Sequence, residues 1–228
     1  MTETEFDSAL VSAGFALAGE RGWRHVSVAA AARHGGLDLA RARRRYRSVM
    51  ALVLDFGRLA DAAALDGAMT DGSVKDRLFD VLMRRIDFLQ SHRAGVIALM
   101  RMAPFDPGLS LVLARATVQS MGWMLEAAEI SARGGRGALR TRGLVAVWAW
   151  TIRAWLRDDS EDLSTTMAAL DAALTRADQV ARGLMMNRRA DSHTQDIAPH
   201  PHNETPADES PSDDAPLVPP FDDPERPD

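Results

Sequence analysis

The first 189 or so residues contain no continuous β-branched run of the kind a buried strand requires, and alanine, leucine, arginine and methionine, all strong helix formers, dominate them. A chain without strand-forming segments buries its apolar residues by packing helix on helix, so the expected fold class is all-α. Breakers divide this body into segments. In "FDSALVSAGFALAGERG" (6 to 22), Phe6, Ala9, Leu10, Ala13, Leu17 and Ala18 fall near one stripe at the helical period, and Gly22 ends the segment. "SVAAAARHGG" begins on Ser27, a good helix cap, and stops at Gly35 and Gly36, with "LDLARARRRYRS" following directly. Further helices are expected over about 49 to 70 and over "SVKDRLFDVLMRRIDFLQSH", where Ser73 and Asp76 are spaced like a capping box. "RAGVIALMRMA", terminated by "PFDPG", and the stretches of about 108 to 132, 138 to 157 and 161 to 187 complete the series.

Two short helices joined by a glycine-containing turn, with a longer amphipathic helix before them, are the arrangement of a helix-turn-helix unit. The second carries "RARRRYR" (41 to 47), five arginines in seven positions. At about 100° per residue, Ala42 and Tyr46 share a face with Leu39 and form the stripe expected to pack. Arg44 points the opposite way, flanked by Arg41 and Arg47, with Arg43 and Arg45 on the two shoulders. Arg21, Arg24, Arg33 and His34 extend the positive region, opposed by Glu20 and Asp38. Guanidinium groups present planar forks of donors that match phosphate oxygens and the O6/N7 edge of guanine, so the run reads either as a solvated charged face or as a nucleic-acid-binding one, with double-stranded DNA the expected partner in the second case.

Charge is divided unevenly along the chain, whose formal net charge is -5. Residues 190 to 228 hold 9 of the 11 prolines and 11 acidic residues against a single Arg226, which gives this tail -10. The body is +5, from 26 Lys and Arg against 21 Asp and Glu. A tail so rich in proline and charge offers too little apolar surface to offset its ordering entropy, and it is expected to be disordered.

Other functional classes find little support. There is no cysteine, so disulfides, thiolate metal sites and a cysteine nucleophile are excluded. The body has only His25, His34 and His92, with no pair on one helix, and no metal or cofactor is expected. "ARGGRGA" (132 to 138) lacks the preceding strand and the Gly-Lys-Ser/Thr ending of a phosphate loop and reads as a helix connection. "DDSED" (158 to 162) reads as a helix start, where Ser160 or Asp159 can cap. No catalytic site is visible, and the chain is not expected to be an enzyme. "LVAVWAWTI" (144 to 152) runs straight into Arg153, far short of the roughly 20 residues of a membrane span, and Glu3, Glu5 and Asp7 stand where an export signal would be basic. No transmembrane segment and a cytoplasmic location are expected.

The N-terminal 60 or so residues resemble the DNA-binding domain of the TetR family of one-component transcriptional regulators. A first helix ending "ERGW", the stretch "VSVAAAARHGGLDLARARRRYRS" and a long connecting helix carry the likeness. Ser27 matches the capping Ser/Thr, Ala32 the small residue facing the recognition helix, Gly36 and Leu37 the turn, and Tyr46 the aromatic that closes the motif. The chain departs from that pattern at Arg43, commonly a phosphate-contacting tyrosine, at Val49, commonly lysine, and at Ala42, usually leucine. The resemblance implies a DNA-contacting set of Ser27, Arg41, Arg43, Arg44, Arg45, Tyr46 and Arg47, and three regions: 1–50 for DNA binding, 51–189 for ligand binding and dimerisation, and 190–228 as the tail. It also implies a repressor acting as a homodimer on a pseudo-palindromic site. "WLRDDSEDLSTTMAALDAAL" (155 to 174) resembles a second group, the lipid-binding accessory family of ubiquinone biosynthesis, which shares the TetR-like fold with a degenerate helix-turn-helix and holds lipid.

In either case an apolar pocket for a hydrophobic small molecule or lipid is expected among the middle helices. Met100, Phe105, Met121, Trp123 and Met124 are its candidate lining. Trp148, Ile152 and Trp155 on one late helix, and Met167, Leu170 and Leu174 on the next, form wide apolar stripes that suit either an intramolecular core or a dimer seam.

Overall fold

The computed structural model describes residues 1–195, and every regular element among them is helical. In chain order they are α1 (Glu3–Arg21), α2 (Val28–His34), α3 (Leu39–Arg45), α4 (Val49–Leu65), α5 (Val74–Gln90), α6 (Arg93–Met102), α7 (Pro107–Ala127), α8 (Gly134–Trp155) and α9 (Ser164–Gln195), with short 3-10 turns at Trp23–His25 and Ala103–Phe105. Met1–Met186 form one compact unit. Helix α9 continues past the boundary expected at 189, and the rest of the acidic segment, 196–228, lies outside the described residues. None of the described helices is long and apolar enough to cross a membrane.

Side-chain caps start most of these helices. Thr2 and Glu5 form a capping box on α1, Ser73 and Asp76 another on α5, while Ser27, Asp38, Ser48 and Asp106 cap α2, α3, α4 and α7. Helix α7 ends at Ala127, five residues before the expected stop. Glu129 takes the left-handed conformation at φ 60°, and the amides of Glu129 and Ile130 donate back to the carbonyls of Glu126 and Leu125, closing the helix as a glycine would. "RGGRG" supplies the first turn of α8 rather than a connection. Gly137 is required there, because a Cβ would stand 2.1 Å from the carbonyl carbon of Ala132.

Helix α9 starts at Ser164, and its start is organised by Asp158 rather than by Ser160 or Asp159. The nearly buried Asp158 carboxylate accepts from the amide and hydroxyl of Ser160 (3.1 and 2.5 Å) and from those of Thr166 (2.7 and 2.6 Å). Hydrogen bonds from Ser160 and Thr166 hold its carboxyl well below the ordinary value of 3.8. A carboxylate depressed in the native state adds stability above its unfolded pKa and loses it as pH falls. Asp158→Asn is therefore expected to lower Tm at pH 7 and to lose less of its remaining Tm than wild type between pH 4 and pH 2, as thermal melts across that range would show.

The first three helices are fastened to the rest through α1. Phe6, Leu10, Val11, Phe15, Leu17 and Ala18 are all buried, because α1 packs against α2, α4 and α6. Phe15 stacks on Phe56 of α4 with centroids 3.8 Å apart, and Phe56 meets Phe88 of α5 at 5.2 Å. The Trp23 indole donates to the Gly95 carbonyl at 3.0 Å. The crossing of α1 over α6 depends on Gly95, where an added Cβ would lie 2.3 Å from the Phe15 carbonyl oxygen, a backbone atom that cannot swing aside. Gly95→Ala should cost roughly 1–3 kcal/mol by overpacking. The expected sign is a Tm lower by roughly 2–10 °C in a calorimetric scan.

Candidate functional site

The pair α2 and α3 meets through a turn whose geometry follows from its residues. Gly36 sits at φ 64°, its amide donates to Arg33 and the Leu37 amide donates to Ala32, the glycine-closed helix end that releases the chain into α3. The Ser27 hydroxyl accepts from the Ala30 amide at 3.0 Å, and the Asp38 carboxylate from that of Arg41 at 2.6 Å. Ala31, Ala32 and Ala42 are fully buried, so α3 lies close against the preceding helices. Tyr46, just beyond α3, is buried too and donates its hydroxyl to Asp55 on α4, which Arg58 also reaches at 2.6 Å. Burial and that hydrogen bond push the phenol above its ordinary value. Among the site residues expected to contact DNA, Tyr46 therefore stands inside the unit, holding α3 to α4. Leu39, expected on the packing stripe, is 44% exposed at the first position of α3.

The five arginines separate into two sets. Arg41 folds back on α1, where Nη2 donates to Glu3 Oε1 at 2.6 Å and to the Thr2 carbonyl at 3.0 Å, with its guanidinium 4.3 Å from the Phe6 ring centroid. Arg45 grips the buried Asp7, with Nε 2.7 and 2.8 Å from the two carboxylate oxygens and Nη2 on Oδ2. These hydrogen bonds to Asp7, together with its charge, raise the Arg45 guanidinium above its ordinary value. Arg43, Arg44 and Arg47 are exposed and make no ion pair among the described residues. The outward cationic face is thus Arg43, Arg44 and Arg47, displaced from the arc of Arg41, Arg44 and Arg47 that helical phase alone suggests. Helical phase cannot see that Glu3 and Asp7, four apart on α1, pull two of the arginines inward.

A cavity of about 860 Å³ lies among α4, α5, α6, α7 and α8. That is within the usual range for small-molecule sites, and its walls are mostly apolar. Of the expected lining, Met100 and Trp123 are on its wall. Met121 and Met124 are fully buried in the core beyond that wall, and Phe105, in the 3-10 turn before α7, is 88% exposed. Trp148 and Ile152 line the cavity, whereas Trp155 is sealed inside the unit, with its indole donating to Gln90 at 2.9 Å and Arg93 4.7 Å above its ring. Leu170 and Leu174 are also buried and Met167 half-buried. The apolar stripe of α8 is therefore core and cavity wall.

Helix α8 has a second apolar face, outside the stripe of Trp148, Ile152 and Trp155. Leu139 (57% exposed), Gly143, Ala146 and Trp150 (54% exposed) follow at intervals of four, three and four residues and lie along one outward line. The cavity also has a polar part, absent from the expected apolar lining. On α5 the buried series Leu78, Val81, Leu82, Ile86 and Leu89 includes Arg85 in register, only 7% exposed. Its Nε donates to Asp61 Oδ1 of α4 at 2.9 Å and its Nη2 to Ser120 Oγ of α7 at 3.2 Å, while the Ser120 hydroxyl donates to Asp61 Oδ2 at 2.6 Å. The guanidinium carbon lies 4.9 Å from the Trp148 ring centroid. Burial pushes the Asp61 carboxyl up, against the opposing pull of Arg85 and Ser120. The available signal was the helical phase itself, since an arginine in a buried register demands a partner.

No protein-family model and no curated protein matches this chain. Solved structures do match. A TetR transcriptional regulator from Nitrosomonas europaea aligns at a TM-score of 0.64 and 21% identity, over 77% of this chain and 99% of that one. A protein from Syntrophomonas wolfei assigned to the TetR family gives 0.54 at 10% identity, over 80% and 98%, and one from Rhodococcus sp. gives 0.52 at 19%, over 75% and 99%. The helix-turn-helix of α2 and α3 followed by a helical body is, in this chain, the fold of those TetR-family proteins.

Proposed function

We propose that the chain is a TetR-type one-component transcriptional repressor. It reads double-stranded DNA through α3, works as a homodimer in the cytoplasm, and responds to a hydrophobic small molecule held in the cavity. Residues 1–50 would supply DNA binding and 51–189 ligand binding and dimerisation. The observation that carries this reading is the exposed set Arg43 and Arg44 on the second helix of a helix-turn-helix and Arg47 just past its end, unpaired among the described residues. A chain that only stored lipid would gain nothing from three cations on that face, which weighs against the lipid-binding alternative. The outward line of Leu139, Gly143, Ala146 and Trp150 on α8 supports dimerisation, because a continuous apolar helix face is self-complementary when a two-fold axis brings two copies together. Two recognition helices would then enter successive major grooves about 34–36 Å apart. Effector binding shifts DNA affinity to the extent that the ligand prefers one arrangement of the two heads.

Selection from a pool of random duplexes tests the proposal. Enrichment of two inverted half-sites spaced by about one helical turn, or a multiple of it, is expected. A pool that remains random, from protein carrying stoichiometric co-purified lipid, would favour the lipid-binding reading instead.

A further inference from the structure

The cavity contains a side chain that an apolar ligand alone would leave unused. Asp61 has both carboxylate oxygens occupied, by Arg85 and by Ser120, and the Ser120 hydroxyl both donates to Asp61 and accepts from Arg85. The remaining valence of this triad belongs to Arg85. Its Nε and Nη2 spend one edge of the guanidinium on Asp61 and Ser120, and Nη1 has no hydrogen-bond partner among the described residues. No polar side-chain atom among them is both sealed from solvent-sized space and unpartnered, so Nη1 opens to the cavity that Arg85 lines. The Trp148 ring lies over the guanidinium, 4.9 Å from its carbon, while Asp61 and Ser120 hold two of its nitrogens. A fork of parallel N–H donors held in a fixed plane, nine-tenths buried and surrounded by apolar wall, is complementary to a carboxylate. It offers nothing to an ammonium group.

We infer that the cavity ligand is an amphipathic acid, its apolar body lying against Leu99, Met100 and Ile152 and its carboxylate on the free Nη1/Nη2 edge of Arg85. This rests on the proposed effector role of the cavity and adds the chemical class. Asp61 belongs to α4, the helix that receives Tyr46 from the DNA-reading unit, so a carboxylate drawing on Arg85 would weaken a contact that fixes α4.

The test uses the full chain and three probes with the same body and different heads: octanoate, octanol and octylamine, titrated by calorimetry at neutral pH. Octanoate should bind at least about tenfold more tightly than the other two, since hydrogen bonds to an ionised partner are roughly twice as strong as neutral ones. Arg85→Met alone would leave Asp61 buried without its cation, so the informative variant is Asp61→Asn combined with Arg85→Met. In it octanoate should lose its advantage and bind no more tightly than octanol, because its carboxylate would be buried without a cation. Equal binding of all three to wild type would overturn the acid assignment and leave the apolar effector standing. A preference for octanoate that survives in the double variant would also overturn it. If none of the three binds, both the acid and the effector role of the cavity fall.

Discussion

Changing Arg43, Arg44 and Arg47 together to alanine is expected to weaken duplex DNA binding by at least about a thousandfold while leaving the helical content and Tm of the protein unchanged. Each lost arginine contact to a base edge costs about 1–3 kcal/mol, a lost phosphate contact weakens binding to every sequence alike, and a dimer makes each contact twice. The fold should be indifferent because none of the three has an ion-pair partner among the described residues. Arg45→Ala should give the opposite pattern. It deprives the buried Asp7 carboxylate of its bidentate partner, so a lower Tm is expected, with any loss of DNA affinity following from a loosened α3. Anisotropy titrations beside thermal melts separate the two classes. If Arg45→Ala and the triple variant behaved alike in both measurements, the division of the arginines into an inner and an outer set would be wrong.

Trp150→Glu, alone or with Leu139→Glu, is expected to convert a dimer into monomers. Both residues are more than half exposed on one line of α8, and in a two-fold interface each is buried twice. Removing a central tryptophan commonly costs 2 kcal/mol or more, and placing a carboxylate against its symmetry mate adds repulsion, so the dimer Kd should rise by on the order of a thousandfold. Sedimentation equilibrium reads this directly. DNA affinity should fall in parallel, because a monomer holds a single half-site. A variant that remained dimeric would place the seam elsewhere on the surface.

Much of the fold was legible in the residues. Ser27, Ser73 with Asp76, and Gly22 and Gly36 mark helix starts and stops because their side chains, or the lack of one, satisfy the terminal backbone groups. The end of α7 was not, because Glu129 takes the left-handed conformation that usually announces itself as glycine. The close crossing at Gly95 was equally hidden, since a glycine inside a helix looks the same whether it faces solvent or another backbone. For the site, periodicity placed Arg44 outward and Ala42 and Tyr46 inward, as observed, but it describes one helix at a time. What decides the roles of Arg41 and Arg45 is the charge on α1, and what takes Trp155 away from any seam is Gln90 and Arg93 on neighbouring helices. Methionine content pointed to a pocket of the right character, yet only Met100 and Trp123 of the five candidates reached its wall. A wide apolar stripe cannot say which of its residues meet a cavity, a core or a second copy.

DNA reading by α3 can be measured by titrating the full chain against its selected duplex and a scrambled duplex at several salt concentrations. Saturable binding of two chains per selected site is expected, with a clear preference over the scrambled duplex and an affinity that falls linearly on a log–log plot as salt rises, the slope being shallower for the Arg43, Arg44 and Arg47 variant. Equal affinity for both duplexes, or a slope unchanged by removing those three arginines, would contradict DNA reading by α3.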